Sequence, residues 1–306
     1  MEHPRMLMKL CSVLCLLAGL AIPVHALDLS GGLMMAVPVP PGGAPVIDGD
    51  LADWDLSGAE EVWIADETAD HFSASLAAMY DDKALYLAAK VRLPGRRLRN
   101  PHSPVDSFWI GDCLQFRFIT DPRFGYPASP ADLAGSPRVI HLSAWKDTLG
   151  GRDYLKLQRG IKFDQGESVN PSGSDVIIRE GAGEYVMEMR IPWATLGAVD
   201  GKNPFGAGGR MTFVAEVLWD HTTLRTAAIY RQPPGVFAFK NSAEWGRLEF
   251  SPAGKLAPRH EGMDAHLKRL AAAEADGAGV PIQLTLEKPA KVSLNIVDDS
   301  GAVLRE

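Results

Sequence analysis

Residues 106–121 read Asp-Ser-Phe-Trp-Ile-Gly-Asp-Cys-Leu-Gln-Phe-Arg-Phe-Ile-Thr-Asp, and they gather chemistry that the rest of the chain spreads thin. Leu114, Phe116 and Phe118 alternate with Cys113, Gln115 and Arg117, the period of a half-buried β-strand. The first set is a core face. The second offers an amide and a guanidinium beside Trp109, which an Ile-Gly-Asp turn holds just ahead of the strand. An aromatic plane next to fixed donors and acceptors suits a planar polar ligand better than plain solvent. Arg117 can equally pair with Glu216 or Asp112 across the sheet as a structural ion pair.

A second group is Asp48, Asp50, Asp53 and Asp55, set in a Gly-containing turn that packs Ile47, Leu51 and Trp54 at its apolar end. Calcium takes oxygens of this kind. The spacing is not that of an EF-hand loop, however, and Asx-turn capping of the local backbone accounts for the same residues without a metal. No catalytic constellation is legible. The acidic residues are spread through turns, no pair shows a glycosidase separation, and there is no Gly-x-Ser-x-Gly, His-Glu-x-x-His or Gly-rich phosphate loop. The chain therefore reads as a non-enzyme, with any catalytic domain lying beyond its end.

Arg5 and Lys9 precede an apolar run from Leu10 to Ile22, and Val24-His25-Ala26 has the small-x-Ala form of a cleavage site. Residues 1–26 are expected to be a cleaved signal peptide, and the protein secreted, periplasmic or displayed at the cell surface. The run is short for a membrane span, and no other stretch approaches the length needed. Of three Cys, two leave with the signal, so Cys113 stands alone without a disulfide framework. The net charge of −7 is acidic and dispersed, which argues against a nucleic-acid partner. Arg92, Arg96, Arg97 and Arg99 form the one basic cluster, in a Pro/Gly-rich stretch that reads as a solvated loop.

The elements that must position these residues are short strands. Alternating or apolar runs bounded by turn residues predict strands at 61–65, 72–80, 85–91, 112–120, 138–145, 154–158, 176–180, 184–191, 211–219, 224–230 and 245–250. Little helix separates them, so the fold class is all-β, an antiparallel β-sandwich of jelly-roll or immunoglobulin-like type. Residues 27–44 read as a flexible lead-in with an edge strand at 34–39, and the sandwich occupies 45–250. Residues 251–280 read as a linker with a short helix from Met263 to Ala275. Residues 281–306 look like the start of a second, immunoglobulin-like β-domain, cut in mid-pattern.

The opening Val46-Ile47-Asp48-Gly49-Asp50-Leu51-Ala52-Asp53-Trp54, the hairpin from Ala78 to Ala89, the strand Trp109 to Phe116, the segment Tyr185 to Trp193 and the closing Trp245-Gly-Arg-Leu resemble, in this order, the family 9 carbohydrate-binding module. The resemblance implies a module that meets an oligosaccharide or polysaccharide and forms one part of a multidomain chain. Trp109 matches one of the family's sugar-clamping aromatics, and the second is placed near Tyr230. Gln115 stands where the family has an acidic residue, so hydroxyl bonds there are uncharged. His141 falls where the family has an Arg, with Ser143 and Trp145 on the same face. Structural calcium in the family adds weight to the aspartate group. The family shares its sandwich with haem-binding domains of the DOMON type, so the alternative is an electron-transfer domain drawing axial ligands from His71, Met79, His141, Lys146 and His221. A structural cell-surface module without a ligand is the third reading.

Overall fold

The structure, a computed structural model, describes residues 32–64, 66–93, 95–220, 225–228, 240–259, 262–275, 296–297 and 303–305. It is mostly β and sandwich-like. The strands are β1 (Leu33–Pro38), β2 (Glu60–Trp63), β3 (Ser73–Tyr80), β4 (Ala84–Arg92), β5 (Cys113–Ile119), β6 (Val139–Asp147), β7 (Arg152–Arg159), β8 (Glu167–Val169), β9 (Asp175–Glu180), β10 (Glu184–Pro192), β11 (Arg210–Trp219), β12 (Arg225–Ala228) and β13 (Gly246–Phe250). Each of the eleven expected strands is present within a few residues of its expected bounds, because each is an alternating apolar run closed by turn chemistry. Asp81 shows how: its carboxylate accepts from the N–H groups of Lys83 and Ala84 and reverses the chain between β3 and β4.

The strands join in one continuous sheet in the order β8-β7-β6-β5-β11-β13-β1-β3-β4-β10-β9, with β12 added to β11 and β2 to β3. The sheet curls until its two halves face each other. The Asp153 carboxylate of β7 accepts from the Ile178 N–H of β9, so the far ends of the strand order meet. Between the halves lies one core that includes Leu114, Phe116, Phe118, Leu142, Met187, Phe213 and Trp219. Each of these comes from the apolar set of an alternating strand.

One expectation is corrected here. The strand in the lead-in is not an edge: β1 lies parallel to both β13 and β3, in the middle of the sheet. Met34, Ala36 and Val37 are fully buried, which is why a segment flanked by Gly and Pro is nonetheless central. The sheet is therefore mixed, antiparallel everywhere except at β1.

The expected helix is present as α1 (Met263–Ala275), and it is docked. The His266 ring lies 4.6 Å from that of Trp63, its Nε2 is 3.1 Å from Asp66 Oδ1, and Arg92 pairs with Asp264 at 2.5 Å. Of residues 281–306, β14 (Ile296–Val297) and β15 (Val303–Arg305) pair antiparallel. The remaining residues of that segment, and the whole of residues 1–26, where a signal peptide is expected, lie outside the described residues. Among the described residues no helix is long and apolar enough to cross a membrane.

Candidate functional site

Because side chains on paired strands share a face, the ladder registers gather the polar positions of the β5 half into a row. Gln115 is opposite Ser143 and Glu216, and Arg117 is opposite His141. Ser143 in turn faces Lys156 and His141 faces Gln158 on β7. All these side chains point away from the main core, on the outer face of β5, β6, β7 and β11. Gln115, Arg117, His141, Ser143, Lys156 and Glu216 are nevertheless each at most 9% exposed. So much polar chemistry in so little solvent is the notable property of this face, since each buried polar group needs a partner or loses free energy.

The partners are specific. Arg117 pairs with Glu216, the structural alternative anticipated above, and its Nη2 donates to Gln115 Oε1 at 2.5 Å. That bond engages the Gln115 carboxamide through its oxygen, the acceptor end of the group. Lys156 Nζ donates to the Pro104 carbonyl at 3.0 Å, pairs with Glu167 at 3.2 Å and lies 5.6 Å over the Phe108 ring. His141 differs: among the described residues neither ring nitrogen makes a well-aligned hydrogen bond, although the Gly160 backbone is close enough to act on the ring.

Apolar clusters close both ends of the row. At one end Phe108, Cys113, Trp145 and Leu218 pack together. At the other are Ile119, Val139, Ile161, Val214 and Trp245, among others. Phe108 stacks on Trp145 at 4.2 Å, and Trp145 Nε1 donates to the His102 carbonyl. Trp145, expected to face the ligand, is thus corrected to a support. It is 1% exposed, because the loop from residue 99 to 112 folds over its ring. Trp109, on that loop, is 46% exposed and meets Phe108 edge-on at 5.3 Å.

The loop is held firmly. Asn100 Nδ2 donates to the Phe108 and Asp112 carbonyls, and Gly111 passes so close that a Cβ there would lie 2.5 Å from Asn100 Cγ. Only glycine permits that approach. Of the arginine cluster only Arg96 turns inward to serve the same end, while Arg97 and Arg99 keep most of their side chains in solvent. Arg96 forms a fork on Asp112, Arg97 holds Glu180 and Arg99 meets Asp220.

Tyr230 and His221 lie outside the described residues. The four aspartates do not converge. Asp48 accepts from Asp50 N–H, Asp50 from Ala52, Asp53 from Val46, and Asp55 from Ser57 and Lys255. Asp48, Asp50 and Asp55 cap local turns and Asp53 and Asp55 tie down more distant backbone, and among the described residues no group of three or more His, Cys, Asp or Glu is placed to hold a metal ion. These residues do not fit a calcium cage. The turn is organised instead by Glu188 of β10, which the sequence reading passed over. Its buried carboxylate accepts from the N–H groups of Asp48 and Gly49 and from Trp54 Nε1. Burial pushes the Glu188 pKa up, against the pull of those donors.

Nor do the described haem-ligand candidates converge. Met79 is on β3 in a cluster with Trp54 and Tyr86, His71 pairs with Asp70, and Lys146 pairs with Asp153, while His141 is on β6. Strands β5, β11, β13 and β1 separate β6 from β3. Cys113 is fully buried, and burial pushes its thiol pKa up, so it is an inert packing residue.

Burial, then the Arg117 guanidinium, holds the His141 pKa well below its ordinary 6.5. The native chain keeps the ring neutral while the unfolded chain protonates it near that value, so stability is full above pH 6.5 and falls as pH drops toward the depressed native pKa. The urea midpoint is expected to decline between about pH 6.5 and 5, above the range where ordinary carboxylates titrate, and His141→Gln is expected to flatten that decline.

No protein-family model matches the chain, and no curated protein matches it. Solved structures do. A family 9 carbohydrate-binding module from Caldicellulosiruptor kristjanssonii, in complex with glucose, is 18% identical over 74% of this chain and 98% of its own, with a TM-score of 0.44. A family 9 module of that organism with cellotriose is 16% identical over 75% and 100%, at 0.43. A protein from Bacteroides uniformis, provisionally described as carbohydrate-binding, is 15% identical over 72% and 100%, at 0.50. This last likeness shows a shared fold.

Proposed function

We propose that the chain is a non-catalytic carbohydrate-binding module of an exported, multidomain protein, and that it takes its sugar along the outer face of β5, β6, β7 and β11. The observation that carries this reading is the row Gln115, Arg117, His141, Ser143 and Lys156, buried yet polar, beside the exposed Trp109. Pyranose rings present C–H faces that stack on an indole and edge hydroxyls that need both donors and acceptors.

Charge favours a neutral ligand. Arg117 is answered by Glu216 and Lys156 by Glu167, while His141 is held uncharged, so the row asks for hydrogen bonds rather than a counter-ion. The Bacteroides uniformis protein that shares this fold is provisionally described as carbohydrate-binding, which supports the same ligand class.

Intrinsic fluorescence titration with a panel of soluble oligosaccharides tests the reading. A saturable shift is expected, and Trp109→Ala is expected to weaken binding by at least about tenfold, or ~1.4 kcal/mol. A flat response across the panel by the unaltered protein would overturn it.

A further inference from the structure

We infer that the chain after β13, residues 251–259 together with α1, forms a strap belonging to the module, with α1 as a rigid strut that carries the following segment away from the polar row. The strap does not depend on which ligand that row takes. Its first part is pinned at short intervals: Ser251 N–H donates to the Ala36 carbonyl, Lys255 N–H to the Asp55 carboxylate and Leu256 N–H to Ser57 Oγ. Arg259 then donates to the Leu33 carbonyl at 3.1 Å and pairs with Glu60 of β2. Glu60 is 6% exposed, so the strap supplies a counter-charge to a carboxylate that burial penalises.

The helix continues the pattern. Met263 and His266 are buried and Leu267 and Leu270 half-buried, the spacing of one helix face turned inward. Around His266 the polar groups are matched end to end. Arginine can only donate, so Arg269 Nη2 at 2.7 Å makes His266 Nδ1 an acceptor and leaves its Nε2–H to donate to Asp66 Oδ1. The same oxygen accepts from Trp63 Nε1 at 2.8 Å, and the His266 ring lies against that indole. A helix of 13 residues is marginal alone in water, so its order comes from these contacts.

Alternation along the strands fixes which face the helix takes. Ala74, Leu76, Ala89 and Val91 are in the core, so Ser73, Ser75, Lys90 and Arg92 are on the outside of β3 and β4, where Asp264 meets Arg92. Val62 in the core likewise puts Trp63 on the outside of β2. In the curled sheet β2, β3 and β4 belong to the half facing β5, β6 and β7. The strut and the polar row therefore occupy opposite outer faces, and a long ligand lying along the row meets no obstruction from α1.

Spin-label distance measurements on the full chain test the inference, with the buried Cys113 left unlabelled. The exposed Lys268→Cys is paired once with Lys90→Cys on β4 and once with Val169→Cys on β8. Both distributions should be narrow, and the Lys90 distance the shorter. Asp264→Lys with His266→Ala should broaden both at least about twofold, as a free linker would. Val169→Cys with Val199→Cys, a pair within the sandwich, should stay narrow in that variant and so show that the fold survives. Hydrogen exchange of the unaltered protein gives a second readout: amides of residues 267–275 should exchange at least about tenfold slower than in an unstructured peptide. Exchange at the free rate, a broad distribution from the unaltered helix, or one that the double substitution leaves unchanged overturns the strut. A Lys90 distance equal to or longer than the Val169 distance overturns its placement on the far face.

Discussion

Arg117→Ala is expected to destabilise the fold by about 3–5 kcal/mol, because it strips the counter-charge from Glu216, a carboxylate with no exposure to water. The loss follows from desolvation rather than from the strength of the pair. A buried carboxylate that has lost its counter-charge must either remain charged in a poor solvent or take up a proton, and both states cost free energy. The double replacement Arg117→Met with Glu216→Leu should therefore recover most of the lost stability, since it removes both charges and keeps apolar volume. The double variant should still bind sugar poorly, because Gln115 has lost the guanidinium that orients its carboxamide. Urea unfolding of the three proteins checks the first claim and oligosaccharide titration the second. A double variant no more stable than Arg117→Ala would mean that the pair does more than neutralise itself.

Trp145→Ala should lower stability by a similar ~3–5 kcal/mol, the ordinary range for deleting a buried indole. Its effect should also be local. The indole supports Phe108 by stacking and the loop by its bond to the His102 carbonyl, so its removal unseats the segment that carries Trp109. Trp145→Phe retains a stacking surface and loses only the N–H bond, and should lose about 1 kcal/mol beyond the volume change. Limited proteolysis should cut within residues 100–111 of the Ala variant well before it cuts the parent.

The strands were legible because each is short, alternating and closed by its own turn, as Leu114, Phe116 and Phe118 show against Gln115 and Arg117. Sheet order was not. The placement of β1 between β13 and β3 depends on pairings more than 200 residues apart at one edge, which no local pattern encodes. The polar row was half legible for the same reason: alternation reveals which residues point away from the core but not whether a loop covers them. That is how Trp145 came to look like a ligand wall when it is a floor for Phe108. Lys156 was available from the alternation of Tyr154, Lys156 and Gln158 with Leu155 and Leu157, and was missed because lysine on an outer face usually means solvent. Glu188 was hidden on a strand whose other residues read as ordinary packing.

The central position of β1 also has a kinetic meaning. The first strand of the sheet cannot acquire its full set of neighbours until residues 246–250, the last strand of the sandwich, have been joined to it. Until then β1 and β11 each expose a ladder edge, and closing a loop of that length precedes any gain from the contacts it makes. Folding should accordingly be slow for a domain of this size and complete in one late step. A chain shortened before Gly246 would be left with two open edges at its centre, and should associate with itself rather than fold.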